Sequence, residues 1–202
     1  MTEEQQLQYP LFETIKYCDG RFFLIPYHYQ RIRHSVQTFF QVDCLFLSRL
    51  EEKLRIIQLQ GLHKVKVFYN QDDFVIHTEP YFKRRITKLK IIHANEVCYE
   101  LKYTNRSKLM DLKFGDEEVL VCKNDQLTDT TFSNIALWNG SEWHTPTRSL
   151  LRGVKRSFLL QSGILKEKPI GLFHLKQYQK VALINAMLDL DEIVIPINQI
   201  MI

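Results

Sequence analysis

Four groups of residues in this chain have the types and settings for covalent or anion-binding chemistry. Lys102 closes an apolar stretch in "VCYELKYTNR". A lysine at a strand end is ordinarily a solvated charge. In a desolvated pocket, burial disfavours the ammonium and leaves an amine able to attack a carbonyl. Asp129 stands in "LTDTTFSN" beside Thr130, Thr131, Ser133 and Asn134. That run reads as a turn or cap cluster, or as a carboxylate facing a protonated nitrogen with hydroxyls and amides around an anion. Gly153 enters "LRGVKRSF", where the N–H groups of Val154 and Lys155 at a helix start would suit a phosphate. Arg31, in "HYQRI", is a surface arginine if taken alone, but beside a phosphate it would add charge and a hydrogen-bonding fork.

These are the parts that pyridoxal 5′-phosphate (PLP) chemistry requires: an amine to condense with an aldehyde, a group opposite the pyridine nitrogen, and a phosphate anchor. Two other features read more plainly. The basic run "KRRITKLK" (Lys83, Arg84, Arg85, Lys88, Lys90) is expected to be a solvated strand edge that discourages pairing. Its alternative is a docking surface for an anionic substrate or a nucleic acid. The seven histidines show no metal-ligand spacing, and the four cysteines form no CxxC pair. No metal is expected, and the cysteines are read as reduced thiols.

Elements must position these groups, and the composition supports them. The chain has 202 residues, 45% hydrophobic, with a net charge of only +4. That suits one large or two small folded domains rather than disorder or a strong nucleic-acid binder. A polar, acidic N-terminus and no apolar run of membrane length lead to the expectation of a cytoplasmic protein with no membrane partner.

Apolar residues on both sides of Asp19-Gly20 predict a hairpin. Pro26 opens a helix with Ile32, Val36 and Phe39 or Phe40 at helical spacing, and His28, Arg31 and Ser35 along its edge. Leu47, Leu50, Leu54 and Ile57 mark a second helix. Paired strands follow across the turn at 70–73, then a strand in "KLKIIHAN". Beyond residue 100 the pattern predicts one or two helical turns in "SKLMDLK", a strand in "EEVLVCKN" and a turn at Asn124-Asp125. A hairpin at Asn139-Gly140 follows, then a helix from Gly153 to a Gly163 cap, a helix or helix-to-strand segment, and a closing strand in "EIVIPINQI". The expected domains are 1–100, α+β, and 101–202, a β-rich α/β domain, with the cofactor site at their junction.

The order of "PLFETIKYCDGRFFLIPYHYQRI", "LKYTNRSKL", "EEVLVCKNDQLTDTTFSNIALWNGSEWHTP" and "LLRGVKRSFL" resembles the fold-type IV PLP-dependent enzymes over residues 10 to 200. That group includes class IV aminotransferases and 4-amino-4-deoxychorismate lyase. Its members carry a Phe-Glu-(Thr/Gly) strand, an Asp-Gly hairpin, a His-x-x-Arg-Leu helix, a Schiff-base lysine, a Thr-Glu-(x)3-Asn loop and a Gly-Ile-Thr-Arg helix start. The resemblance implies an α+β, two-domain PLP enzyme that is shortened at the N-terminus and homodimeric. It makes Lys102 the Schiff-base lysine and proton shuttle, and Arg31 a phosphate ligand. Asp129 takes the place of the glutamate opposite the pyridine nitrogen, Ser133 and Asn134 match the loop's end, and Gly153, Val154 and Lys155 match the helix start. Two positions depart from the pattern: aspartate stands for glutamate at 129, and lysine for threonine at 155.

"LKYTNR" is similar to the lyase pattern Leu-Lys-x-x-Asn-Arg, which implies elimination from a small-molecule amino substrate to give 4-aminobenzoate and pyruvate in folate precursor synthesis. Arg106 is then a candidate clamp for a substrate carboxylate. A branched-chain or D-amino-acid aminotransferase and a PLP-binding homologue without turnover remain the alternatives.

Overall fold

Asp19 and Gly20 both have positive φ, the two-residue geometry whose twist matches that of the flanking strands. They join β1 (Leu11–Cys18) to β2 (Arg21–Phe22), as the Asp-Gly pair predicts. The protein is seen as a computed structural model that describes residues 2–113, 115 and 117–201. It divides into two units: Met1–Lys83 with Leu101–Asn105, and Arg84–Glu100 with Arg106–Ile202.

In the first unit, α1 (Glu3–Gln8), capped by Thr2, precedes β1. The hairpin is followed by α2 (Ile25–Phe40), α3 (Leu47–Arg55), β3 (Leu62–Tyr69) and β4 (Phe74–Pro80). The sheet is antiparallel in the order β2-β1-β3-β4. Strand alternation sends Leu11, Ile15 and Tyr17 to one face of β1, where they pack with Val65, Val67 and Tyr69 of β3. Ile32 and Val36 of α2 and Leu47, Leu50 and Leu54 of α3 cover that face at helical spacing. Each such aliphatic side chain contributes roughly 1.5–3 kcal/mol by burial. Glu13 lies on the same face of β1, so the sheet carries a carboxylate into its core.

Residues 101–105 rejoin this unit, because Leu101 enters its core and the Lys102 carbonyl accepts a hydrogen bond from the Phe12 N–H at 3.0 Å. Lys102 is therefore held as an extended segment beside β1, not at the end of a regular strand. Residues 84–100, by contrast, belong to the second unit, through β5 (Leu89–His93). A single cut at residue 100 misassigns both segments. The reason is physical: strand pairing and core packing join them across the linear order.

The second unit continues with α4 (Ser107–Met110), β6 (Glu118–Lys123), β7 (Gln126–Thr130), β8 (Asn134–Trp138), β9 (Trp143–Pro146), α5 (Val154–Gln161), β10 (Leu165–Lys168), β11 (Lys180–Ile184), β12 (Val194–Pro196) and β13 (Ile200–Met201). One sheet runs β13-β5-β6-β7 and the other β10-β9-β8-β11-β12. Leu89, Ile91, Leu120 and Leu127 of the first pack with Ile135, Leu137, Val181 and Leu183 of the second. Asn124 and Asp125 both take positive φ in the β6–β7 turn, and Gly163 takes it after α5, as their residue types predict.

Two expectations fail locally. The basic run is no strand edge: residues 81–88 form no strand, and Lys90 sits in β5, which is paired on both sides. The closing segment is not one strand but β12, a short 3-10 turn and β13. Among the described residues, no helix is long and apolar enough to cross a membrane.

Candidate active site

In the first unit the chemistry gathers where β1 meets α2. His28 and Arg31 lie one turn apart on α2, which places both over Glu13. Arg31 Nε donates to Glu13 Oε1 at 2.7 Å and its Nη2 to Oε2 at 2.5 Å, while His28 Nδ1 lies 2.7 Å from Oε2. Burial alone pushes the Glu13 carboxyl up, but the Arg31 guanidinium and its hydrogen bonds, helped by His28, hold it at about 2. The carboxylate is thus a fixed anion, and it sets the plane of the Arg31 fork.

Burial pushes His28 the other way, below its ordinary value, and the charges of Arg31 and Lys102 add to that. A neutral imidazole must then donate from Nδ1 to Glu13, which leaves a lone pair on Nε2. That atom is buried and has no partner among the described residues. Lys102 Nζ lies 4.5 Å from the centre of the Phe12 ring, which stacks on Phe68. The lysine is half-buried, and its charge is felt at His28.

In the second unit, residues 130–133 make the turn between β7 and β8. Thr130 N–H donates to the Ser133 carbonyl at 2.9 Å, Ser133 N–H to Thr130 Oγ1 at 3.0 Å, and the two hydroxyls are 2.8 Å apart. This turn sets Asp129, the penultimate residue of β7, beside Asn134, the first of β8. Asn134 Nδ2 donates to Asp129 Oδ1 at 2.8 Å and to the Leu151 carbonyl at 2.9 Å, while the Leu151 N–H donates to Asp129 Oδ2 at 2.9 Å. Asp129 is 4% exposed, and burial lifts its carboxyl to about 6 against the pull of these hydrogen bonds and the Arg156 charge.

The same clasp explains Gly153. A Cβ there would stand 1.9 Å from Asn134 Oδ1, so any other residue would force the Asn134 side chain to move. The α5 start that follows is buried, has no side-chain cap and carries no acidic residue in its first turn. Its backbone donors suit an anion.

The sequence-expected residues thus fall into two groups. Arg31 grips Glu13 beside His28, with Lys102 over the Phe12 ring and its charge felt at His28, and Asp129, Asn134 and Gly153 interlock. Lys155 turns its ammonium to Asp189, so only its backbone faces the helix start. Arg156 ties α5 to β9 and β10 through Thr145, the Pro146 carbonyl and Glu167. The Ser133 hydroxyl is spent inside its turn. Arg106 donates from Nη2 to the Thr131 carbonyl, and its Nε is buried with no partner among the described residues.

Glu13 is the residue that motif reading passes over. Its signal was present: an acid in phase with the core-facing residues of "LFETIKYC". Glu118, in phase with Leu120 and Cys122 of β6, is passed over in the same way; it accepts from Thr131 N–H and Oγ1 at 2.9 and 2.6 Å.

Residues 10–200 match the model of amino-transferase class IV. A candidate 4-amino-4-deoxychorismate lyase structure from Haemophilus somnus 129PT is 28% identical, with a TM-score of 0.79 over 89% of this chain and 97% of that one. A candidate aminodeoxychorismate lyase of Schizosaccharomyces pombe is 27% identical, covering 87% of this chain and 85% of its own length. An uncharacterized protein of Haemophilus influenzae, also 27% identical, is covered over 98% of its length and 89% of this chain.

Proposed function

Because the chain belongs to the amino-transferase class IV family, whose members are PLP-dependent enzymes, we propose that it eliminates pyruvate and 4-aminobenzoate from 4-amino-4-deoxychorismate. The likeness over nearly the whole chain to candidate lyases from two organisms supports that choice of reaction. The conversion is balanced without redox change or a second substrate, unlike amino-group transfer, which consumes a keto acid.

The residues fit the cofactor on three counts. An uncapped, buried helix start stands behind a glycine whose Cβ position is taken by the Asn134 side chain. A buried carboxylate raised to about 6 has only neutral donors on its oxygens, so a pyridinium would relieve it. A half-buried lysine amine lies against an aromatic ring.

Bound there, PLP supplies an electron-withdrawing ring that stabilises negative charge at the substrate Cα. In this reading Lys102 holds the cofactor, takes the proton from that carbon and returns one to the departing enolpyruvate as its C–O bond breaks and the ring becomes aromatic. Arg31, kept in one plane by Glu13, offers the phosphate a fixed positive charge, and the N–H groups of Val154 and Lys155 offer it donors. Asp129, charged, keeps the ring nitrogen protonated. Ser133 and Asn134 shape the turn that presents Asp129, and the unpartnered Arg106 Nε is a donor for a substrate carboxylate.

The carrying observation is the buried Asp129, whose oxygens meet neutral donors only. Borohydride reduction of the PLP-loaded protein followed by peptide mass spectrometry should find the phosphopyridoxyl group on Lys102. None should appear in Lys102→Ala. A label elsewhere, or none, would overturn the cofactor assignment. Release of 4-aminobenzoate and pyruvate with no keto-acid acceptor added supports the lyase, and turnover only with such an acceptor makes the chain an aminotransferase. A homodimer is part of the same proposal, checked by sedimentation.

A further inference from the structure

Outside the residues assigned to the cofactor, one cluster has the composition of a metal site. His93 ends β5, Cys122 lies near the end of β6, and Asp125 sits in the β6–β7 turn. One ligand atom from each lies within 4.8 Å of the others. Sequence spacing does not show the cluster, because it is made by strand pairing. His93 is the register partner of Cys122 in the parallel β5–β6 pair, so both side chains leave the sheet on one face. On that face Leu89, Ile91, Leu120 and Cys122 are core, and His93 is where the strand emerges into solvent. Asn124 and Asp125, both with positive φ, turn the chain so that a carboxylate oxygen of Asp125 lies within 4.8 Å of the thiol.

The backbone around the three is tied down. Ala94 N–H donates to the Cys122 carbonyl at 3.0 Å, and Asn124 N–H donates to Asn95 Oδ1 at 2.8 Å, locking the end of β5 to the turn. The Asp125 carbonyl accepts from Leu172 N–H at 3.3 Å. Neither the His93 ring nor the Asp125 carboxylate makes a hydrogen bond or ion pair among the described residues, so neither side chain is explained by a structural partner. Buried polar groups usually have such partners, and two exposed ones converging on a buried thiol form a ready set of ligands.

We propose that His93, Cys122 and Asp125 bind a zinc-type divalent ion, with its fourth position open to water. A thiolate, an imidazole and a carboxylate suit Zn²⁺ and Co²⁺, while hard cations such as Mg²⁺ take oxygen sets. Tetrahedral ligands around zinc stand about 3.5 Å apart, so closing the site takes roughly an ångström of movement. The two exposed side chains supply it by rotation. The ion replaces the thiol proton and caps Cys122 from the solvent side. It staples the end of β5 to the turn of the β6–β7 hairpin, the hairpin that also carries Asp129.

The test is Co²⁺ titration of the full chain carrying its cofactor, read as a difference spectrum against the Cys122→Ser variant in the same state. One equivalent of Co²⁺ should give a sulfur-to-cobalt charge-transfer band in the wild type and none in Cys122→Ser. Zn²⁺ should bleach the band and raise the melting temperature of the wild type alone. His93→Ala and Asp125→Asn should each weaken binding at least about tenfold, since even outer-shell changes at metal sites cost that much. Asparagine tolerates the positive φ of residue 125, so the turn survives in Asp125→Asn. These two exposed variants keep the test decisive if Cys122→Ser folds poorly. No band, or a band with unchanged midpoint in His93→Ala, overturns the site. Borohydride labelling of Lys102 is unaffected by either result, so failure here and failure of the PLP reading are distinguishable.

Discussion

Glu13 and Asp129 are both carboxylates with almost no exposure, each on a strand and each bonded through both oxygens, yet they move in opposite directions. Glu13 is held at about 2 and Asp129 is lifted to about 6. Burial raises both. The difference lies in the donors: Glu13 faces a guanidinium that supplies charge as well as hydrogen bonds, while Asp129 faces an amide side chain and a peptide N–H. Neutral donors satisfy lone pairs but do not offset the cost of a desolvated charge. The first unit therefore contains a finished ion pair, and the second a carboxylate that feels the Arg156 charge but has no cation bonded to its oxygens. A protonated ring nitrogen is a counter-charge of the right sign.

The sharpest way to break this contrast is to make Glu13 resemble Asp129. Arg31→Met keeps most of the side-chain volume but leaves a buried carboxylate with only His28 beside it. Removing one partner of a buried pair costs about 3–5 kcal/mol. The loss should appear in urea unfolding of the PLP-free protein at pH 7 and shrink as the pH falls, because protonating Glu13 removes the unpaired charge. A cost that does not vary with pH would show that the guanidinium serves packing rather than charge.

The two acids should also give opposite pH slopes. Glu13 has its folded pKa lowered from 4.5 to about 2, so its contribution is fully present above about 4.5 and is lost as the pH falls toward 2. Asp129 has its folded pKa raised from 3.8 to about 6, so the folded state binds the extra proton and stability falls as the pH rises through that window. At about 1.4 kcal/mol per unit, each swing is about 3 kcal/mol. The stability of wild type relative to Glu13→Gln should rise by that much between pH 2 and 4.5. Relative to Asp129→Asn it should fall by a similar amount between pH 4 and 6. PLP loading should flatten the Asp129 slope and leave the Glu13 slope alone. Equal slopes with and without PLP would mean that Asp129 does not face the ring nitrogen.

Much of this contrast was legible in the sequence, for physical reasons specific to each residue. The turns at Asp19-Gly20 and Asn124-Asp125 were readable because few residue types accept positive φ, and α2 and α3 because their apolar spacing follows 3.6 residues. Gly153 stood out as a residue type, but its reason, the Asn134 oxygen 1.9 Å from where a Cβ would be, exists only once β7 and β8 are folded back. Asp129 looked like a turn residue because hydroxyl side chains surround it. Pairing of its neighbours Leu127 and Thr130 with β6 overrides that preference and keeps Asp129 in β7, at an irregularity of the ladder. Glu13 was quoted within a motif but not assigned a task, because a one-dimensional pattern does not say that Arg31 lies opposite. The same blindness to register hid the pairing of His93 with Cys122.

Gly153→Ala probes the clasp of the second unit directly. The backbone φ of −71° suits alanine, so any cost is steric and falls on Asn134. Asn134 must withdraw its oxygen, and with it the Nδ2 donor that Asp129 Oδ1 accepts. Crowding of this kind costs about 1–3 kcal/mol. Asp129, short of one donor, should titrate still higher, which widens its separation from Glu13. Fluorescence titration should show weaker PLP binding, since the α5 start is displaced as well. A variant with unchanged stability and affinity would mean that the clasp yields freely.

Lys155→Ala should have the smallest effect and limits how far the charge argument reaches. Its ammonium pairs with Asp189, whose side chain is 47% exposed, so water already screens the attraction. Such pairs are worth between about 0 and 1 kcal/mol. The variant keeps the backbone N–H at the helix start, the group that serves a phosphate in the proposed site. Stability within about 1 kcal/mol of wild type and an unchanged PLP affinity are therefore expected from unfolding and titration. A large loss of affinity with intact stability would instead assign the ammonium itself to the anion. It would then be a supplied counter-charge, like Arg31 opposite Glu13, and the second unit would be less short of positive charge than Asp129 suggests.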